Sequence, residues 1–248
     1  MSWAPAFLSN PERFMAFSRW AAPMFGIIAL ILAVVGLYLG FTGPEDYQQG
    51  QTVRIMYIHV PAAQMSMFAY ACLAVASFLA LIFRHTLADA AAQAAAPIGA
   101  AFTFLALVTG SLWGRPMWGT YWQWDARLTS VLILFLMYLG LMALWRAVDD
   151  PSRAARAAAI LTLVGALNLP IIKFSVDWWN TLHQPASVIR VGGPAIHPAI
   201  LTPLLVMALA FGLLFLTLHL AAMRNEILRR RVRTMMLMQA QADRGGGA

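Results

Sequence analysis

Apolar runs of bilayer length alternate with short charged breaks through most of this 248-residue chain. Six stretches qualify as spans. Ala21–Phe41 carries no charge, Tyr57–Phe83 is bounded by Arg54 and Arg84, and Ala90–Leu112 by Asp89 and Arg115. Leu128–Trp145 lies between Arg127 and Arg146, Ala157–Val176 contains Asn168, Pro170 and Lys173, and Ala199–Met223 precedes a basic tail. A helix rises about 1.5 Å per residue, so about 20 residues cross a hydrocarbon layer about 30 Å thick. Backbone groups in lipid must bond within their own segment, which makes helices the economical solution. The pattern predicts an all-α polytopic membrane protein with six transmembrane helices, residues 1–248 forming one membrane domain. Trp3–Trp20 mixes aromatics with Arg13 and Arg19 and predicts an interfacial stretch ahead of the first span. Arg224–Arg233 predicts a basic helix within a tail at 224–248, with flexible glycines from Gly245 to Gly247.

Composition agrees. The chain is 61% hydrophobic and 11% charged, with a mean hydropathy of +0.70, where a soluble domain would carry about 25% charge. The net charge of +7 does not point to nucleic acid, because the basic residues flank apolar runs as topology signals do. Twelve Lys and Arg fall on the side of the two termini and five on the opposite side. Positive charge favours the cytoplasm, so both termini are expected there and the 113–129 loop, between helices 3 and 4, in the periplasm. Nothing resembles a cleavable signal peptide.

The expected outer side gathers the chemistry. Trp113–Thr129 reads WGRPMWGTYWQWDARLT, with Trp113, Trp118, Trp122 and Trp124 beside Asp125 and Arg127. An interfacial aromatic belt would spread its rings over helix ends on both sides; here they are bunched. Flat rings beside fixed cations suit a large planar ligand with anionic arms, and haem fits that description. Were Trp118–Asp125 helical, Trp118, Trp122 and Asp125 would share one face. His59, with Pro61 two residues on, reads as a helix start, and His183 follows Trp178 and Trp179. Both are candidates for iron ligation, and His197 ranks behind them. Arg127 and Arg54 are candidates for propionate contact or loop fixation, and Asp125 for shaping the loop or meeting a partner. Other chemistries lack their residues. Cys72 is the sole cysteine, so there is neither an internal disulfide nor a C-x-x-C-H attachment motif. There is no phosphate-binding P-loop, no H-E-x-x-H and no convincing Ser-His-Asp set. Acidic residues are lacking inside the spans, which counts against a proton-coupled transporter.

The Trp113–Ser130 segment closely resembles the WWD signature of bacterial cytochrome c maturation proteins. With RIMYIHVPAA (Arg54–Ala63) and WWNTLHQ (Trp178–Gln184) it resembles the CcmC family in particular, over most of the chain. Tyr121 departs from the tryptophan that many relatives carry. The resemblance implies haem b at the outer face of the bacterial inner membrane, His59 and His183 as axial ligands, and the tryptophan loop around the macrocycle. It also implies work without catalysis of its own, alongside a CcmA-like ATPase, a CcmB-like permease subunit and a CcmD-like single-span subunit. Haem would pass to a CcmE-like periplasmic chaperone. A b-type electron-transfer cytochrome subunit is the alternative, but it would want histidines deep within its helices. A haem ligase of the same superfamily would be expected to be larger, with more spans.

Overall fold

The computed structural model describes residues 10–185 and 187–245. They form seven helices and a short 3-10 turn: α1 (Pro11–Thr42), the 3-10 turn (Gln51–Ile55), α2 (Met56–Phe83), α3 (Thr86–Trp118), α4 (Ala126–Ala147), α5 (Pro151–Gly165), α6 (Asn168–Trp178) and α7 (Pro198–Gly245). Six helical stretches are long and apolar enough to cross a membrane, with α5 and α6 together making the fifth. The chain is a multi-pass membrane protein.

The helix boundaries follow from local chemistry. Asn10 caps α1 by accepting from the Glu12 amide at 2.8 Å, ahead of Pro11 in the first turn. Asp150 does the same for α5, again followed by proline. The expected interfacial stretch differs from what is found. From Pro11 onward the chain is already helical and runs unbroken past Trp20 to Thr42; Trp3 to Ser9 lie outside the described residues. The second helix begins at Met56, one turn before the position expected from Pro61, because the 3-10 turn feeds directly into it.

The fifth span is not continuous. It breaks at Ala166 and Leu167 between α5 and α6. Pro170 has no N–H to give the Ala166 carbonyl, and that oxygen takes the Leu169 amide at 3.1 Å instead. Asn168 donates its side-chain amide to the Ser130 carbonyl at 2.8 Å and so ties the break to α4. A bend with its polar groups satisfied is tolerable at membrane depth.

α3 is the central helix: 56% of its most apolar window is buried, against 17% for α1. Its face is rich in alanine, including Ala94, Ala95, Ala96 and Ala100, and small residues let helix backbones approach closely. One apolar cluster joins α2, α3 and α7 through Tyr57, Phe102, Met207 and Phe215. A second joins α2, α3, α4, α5 and α6 through Tyr70, Ala95, Tyr138, Ala158 and Ile172. There Tyr138 donates to the Ser66 carbonyl at 2.7 Å and Tyr70 to the Thr162 carbonyl at 3.3 Å.

α7 continues for 48 residues, well beyond a span, and absorbs the predicted basic helix; Gly246 and Gly247 lie outside the described residues. Its arginines are engaged by the bundle. Arg224 donates to the Met15 carbonyl at 2.7 Å, Arg230 pairs with Asp89 at 2.5 Å, and Arg231 with Glu12 at 3.2 Å. These contacts bring the start of α1, the start of α3 and the far part of α7 to one end. Alternation of the spans then puts the 119–125 loop, the start of α2 and the 179–197 connection at the other.

Candidate functional site

α3 ends at Trp118 because Gly119 takes a left-handed conformation, φ 76°, which glycine adopts without steric cost. Its amide closes on the Arg115 carbonyl at 3.0 Å, and the Arg115 guanidinium returns a bond to the Gly119 carbonyl. Residues 119–125 are therefore not helical. Trp118, Trp122 and Asp125 do not form the helical face considered from the sequence: Trp118 closes α3, and Asp125 caps α4.

Asp125 is buried, accepts two hydrogen bonds and lies beside a third group. One carboxylate oxygen accepts the Leu128 amide at 2.7 Å, which starts α4. The other accepts the Leu182 amide at 3.3 Å, which ties in the 179–197 connection, and lies 3.5 Å from His183 Nδ1. That last separation is longer than an ordinary hydrogen bond, but it leaves the charge beside the ring. A carboxylate only accepts, so the compatible tautomer of His183 carries its proton on Nδ1 and leaves Nε2 bare. Burial lowers the His183 pKa from its ordinary value; Asp125 pulls it back up and Arg127 adds to the lowering. The imidazole is thus biased towards the neutral form that binds metals.

His59 is the fourth residue of α2. Its Nδ1 lies 3.1 Å from both the Ala106 carbonyl and the Thr109 hydroxyl of α3. Its ring lies against Gly110, where a Cβ would come within 2.7 Å of Cε1. The α3 end joins the two histidines. Trp113 meets the His59 ring edge-on at 5.6 Å between centroids, and Trp118 meets His183 in the same way at 4.9 Å. Five residues of helix separate those indoles, roughly 7.5 Å of rise, so both imidazoles pack at the same end of α3. Residues 124 positions apart in sequence therefore share one corner of the bundle.

Trp122 and Trp124 form a T-shaped pair, 5.4 Å apart at 78°. Together they roof an apolar groove of about 410 Å³ between α3 and α4, floored by Phe104, Leu107, Leu132 and Phe135. On its other side the 73%-exposed Trp124 borders a polar pocket of about 240 Å³ lined by Gln123, Asp125, Asn180, Thr181 and Leu182. The indole nitrogens of Trp113 and Trp122 are buried without a hydrogen-bond partner among the described residues.

Of the two candidate arginines, Arg127 is committed to protein acceptors. Arg127 donates to the Ser175 hydroxyl at 3.0 Å and to the Ile172 and Lys173 carbonyls at 3.4 and 3.3 Å, clamping α4 to α6. Loop fixation is the role this geometry favours. Arg54 lies over the Phe41 ring at 5.6 Å, beside the end of α1. His197 accepts the Ala199 amide at 3.3 Å and caps α7, so it is not gathered with the other two histidines. Sequence reasoning missed Ala106, Thr109, Gly110 and Ser175. The first three stand at i, i+3 and i+4 with Trp113 at i+7, one stripe along α3, and that spacing was the available signal.

Among the described residues no group of three or more His, Cys, Asp or Glu converges to cage a bare ion. Fold and site together define a multi-pass helical membrane protein with paired histidines on a tryptophan-rich ledge at one end.

A family model described as Heme exporter protein C matches residues 5–238. Heme exporter protein C of Bradyrhizobium diazoefficiens is 71% identical over 94% of this chain and 89% of its own length. Its counterpart in Escherichia coli K12 is 51% identical over 89% of each chain. A Marchantia polymorpha protein called a putative cytochrome c biosynthesis ccmC-like mitochondrial protein is 46% identical over 82% of this chain and 87% of its own. The chain belongs to the CcmC family.

Proposed function

We propose that this protein holds haem b at the tryptophan-rich end of its bundle and presents it for cytochrome c maturation. The observation that carries the reading is that His59 and His183 each pack edge-on against an indole, Trp113 and Trp118, in the last two turns of α3. The family name supplies the cargo. Each imidazole offers Nε2 to iron, Trp113, Trp118, Trp122 and Trp124 flank the macrocycle, and Asp125 orients His183. Arg127 fixes the loops, and Arg54 is the cation left nearest the α2 start for a propionate. The excess of positive charge at the opposite end supports a periplasmic position for this site in a bacterial inner membrane.

The protein acts as a carrier rather than a catalyst. A CcmE-like chaperone receives the haem, and CcmA-, CcmB- and CcmD-like chains complete the assembly, with ATP hydrolysis on the first of them. A transmembrane electron-transfer role fits less well, because both ligands lie at one end. The test is the absorption spectrum of the purified protein. A low-spin, bis-imidazole haem spectrum is expected, and it is lost when His59 and His183 are both replaced by Ala. Unchanged loading of the chaperone by that double variant refutes the assignment.

A further inference from the structure

We infer that Thr109 and Gly110 are positioning residues that fix which nitrogen of His59 faces a ligand. The argument is one of donors and acceptors. The Ala106 carbonyl, 3.1 Å from Nδ1, can only accept. The Thr109 hydroxyl, also 3.1 Å away, spends its own hydrogen on the Leu105 carbonyl at 2.6 Å. Both neighbours therefore demand a proton on Nδ1, shared between them. Nε2 is left with its lone pair and, among the described residues, has no hydrogen-bond partner. That is the tautomer needed for ligation through Nε2, and an N–H donated to a carbonyl makes the ligating imidazole more basic.

Gly110 completes the seat. A methyl there would stand 2.7 Å from Cε1 and 3.3 Å from Nδ1, so the ring lies against bare backbone. With Trp113 on the ring edge, the stripe 106–109–110–113 holds the imidazole from one side of α3. The inference about tautomer concerns the empty protein; its consequence for haem rests on the proposed function.

The experiment separates the two. The protein is labelled with 15N-histidine, and its five histidines are read by NMR without haem, with His59→Ala identifying the signal. The expected result is a protonated Nδ1 and an unprotonated Nε2 at His59 in the neutral protein. A proton on Nε2 instead overturns the inference, whatever haem does. Thr109→Val, nearly the same shape without the hydroxyl, is expected to shift the Nδ1 signal. In the haem-loaded protein it raises the reduction potential and weakens retention roughly tenfold, and Thr109→Ser restores both. Gly110→Ala is expected to displace the ring and lose the low-spin spectrum. Should that variant fail to fold, the Thr109 series still decides. Identical signal and potential in Thr109→Val overturn the role of Thr109. A correct tautomer together with a haem spectrum indifferent to His59→Ala leaves the positioning intact and refutes the ligand assignment alone.

Discussion

His59 is carried by a transmembrane helix and backed by a carbonyl and a hydroxyl of the helix beside it. His183 is carried by the connection between α6 and α7 and backed by a carboxylate at 3.5 Å. Nδ1 of His59 has acceptors within hydrogen-bond distance while Nδ1 of His183 has only a nearby charge, so the two rings are held by different forces. The first depends on close helix packing and on the missing side chain of Gly110, so it tolerates little change of shape. The second depends on charge and on two loops meeting at Asp125, so it answers to protonation and to loop geometry.

The largest expected effect comes from removing both proposed ligands: His59→Ala with His183→Ala is expected to abolish the low-spin spectrum. Of the single variants, His59→Ala is expected to lose more haem than His183→Ala. The reverse order, measured by pyridine haemochrome content, breaks the comparison as drawn. Next is Asp125→Asn, expected to weaken haem retention roughly 10–100-fold, the usual range for a partner behind a metal-binding histidine.

The same variant sharpens the electrostatic half. Burial already holds the His183 pKa below its ordinary value, while Asp125 raises it. Without that charge the pKa falls further, so NMR titration of the empty variant should protonate His183 at lower pH than in the parent. The stability linkage has a definite sign. The unfolded chain takes up the proton first as pH falls, so stability is lost from the ordinary imidazole range downward until the folded pKa is passed. A rise in the His183 pKa in Asp125→Asn contradicts the account. Replacing either Trp122 or Trp124 singly by Ala should weaken haem retention several-fold, as expected from an aromatic contact worth about 1 kcal/mol, while membrane insertion is unchanged. The smallest effect is a control away from the site. Tyr138→Phe loses its bond to Ser66 and should cost about 1 kcal/mol in thermal unfolding without altering the haem spectrum.

Hydropathy made the spans legible because lipid imposes one length and one composition on every crossing. The side on which the chemistry gathers was legible for the same reason: six spans fix which loops share an end. His59, His183 and the tryptophans stood out as polar or aromatic residues at span ends. What escaped was shape. Ala106, Thr109 and Gly110 look like any small residues of a membrane helix until α2 is laid against them. The end of α3 at Gly119 depended on a backbone angle, and the break before Asn168 on where a carbonyl deprived by Pro170 finds another donor. Arg127 looked free for a ligand because its acceptors, Ser175 and the Ile172 and Lys173 carbonyls, lie on another helix.

Asp125 reaches the Leu182 amide 57 residues away, and Arg127 reaches the α6 carbonyls just before it. The tryptophan loop and the His183 connection are therefore stitched into a single lip, and everything between them in the chain is a detour through the bilayer. Changing the length of that detour, for instance by one residue near Leu167, would leave every named site residue in place and still pull the lip apart.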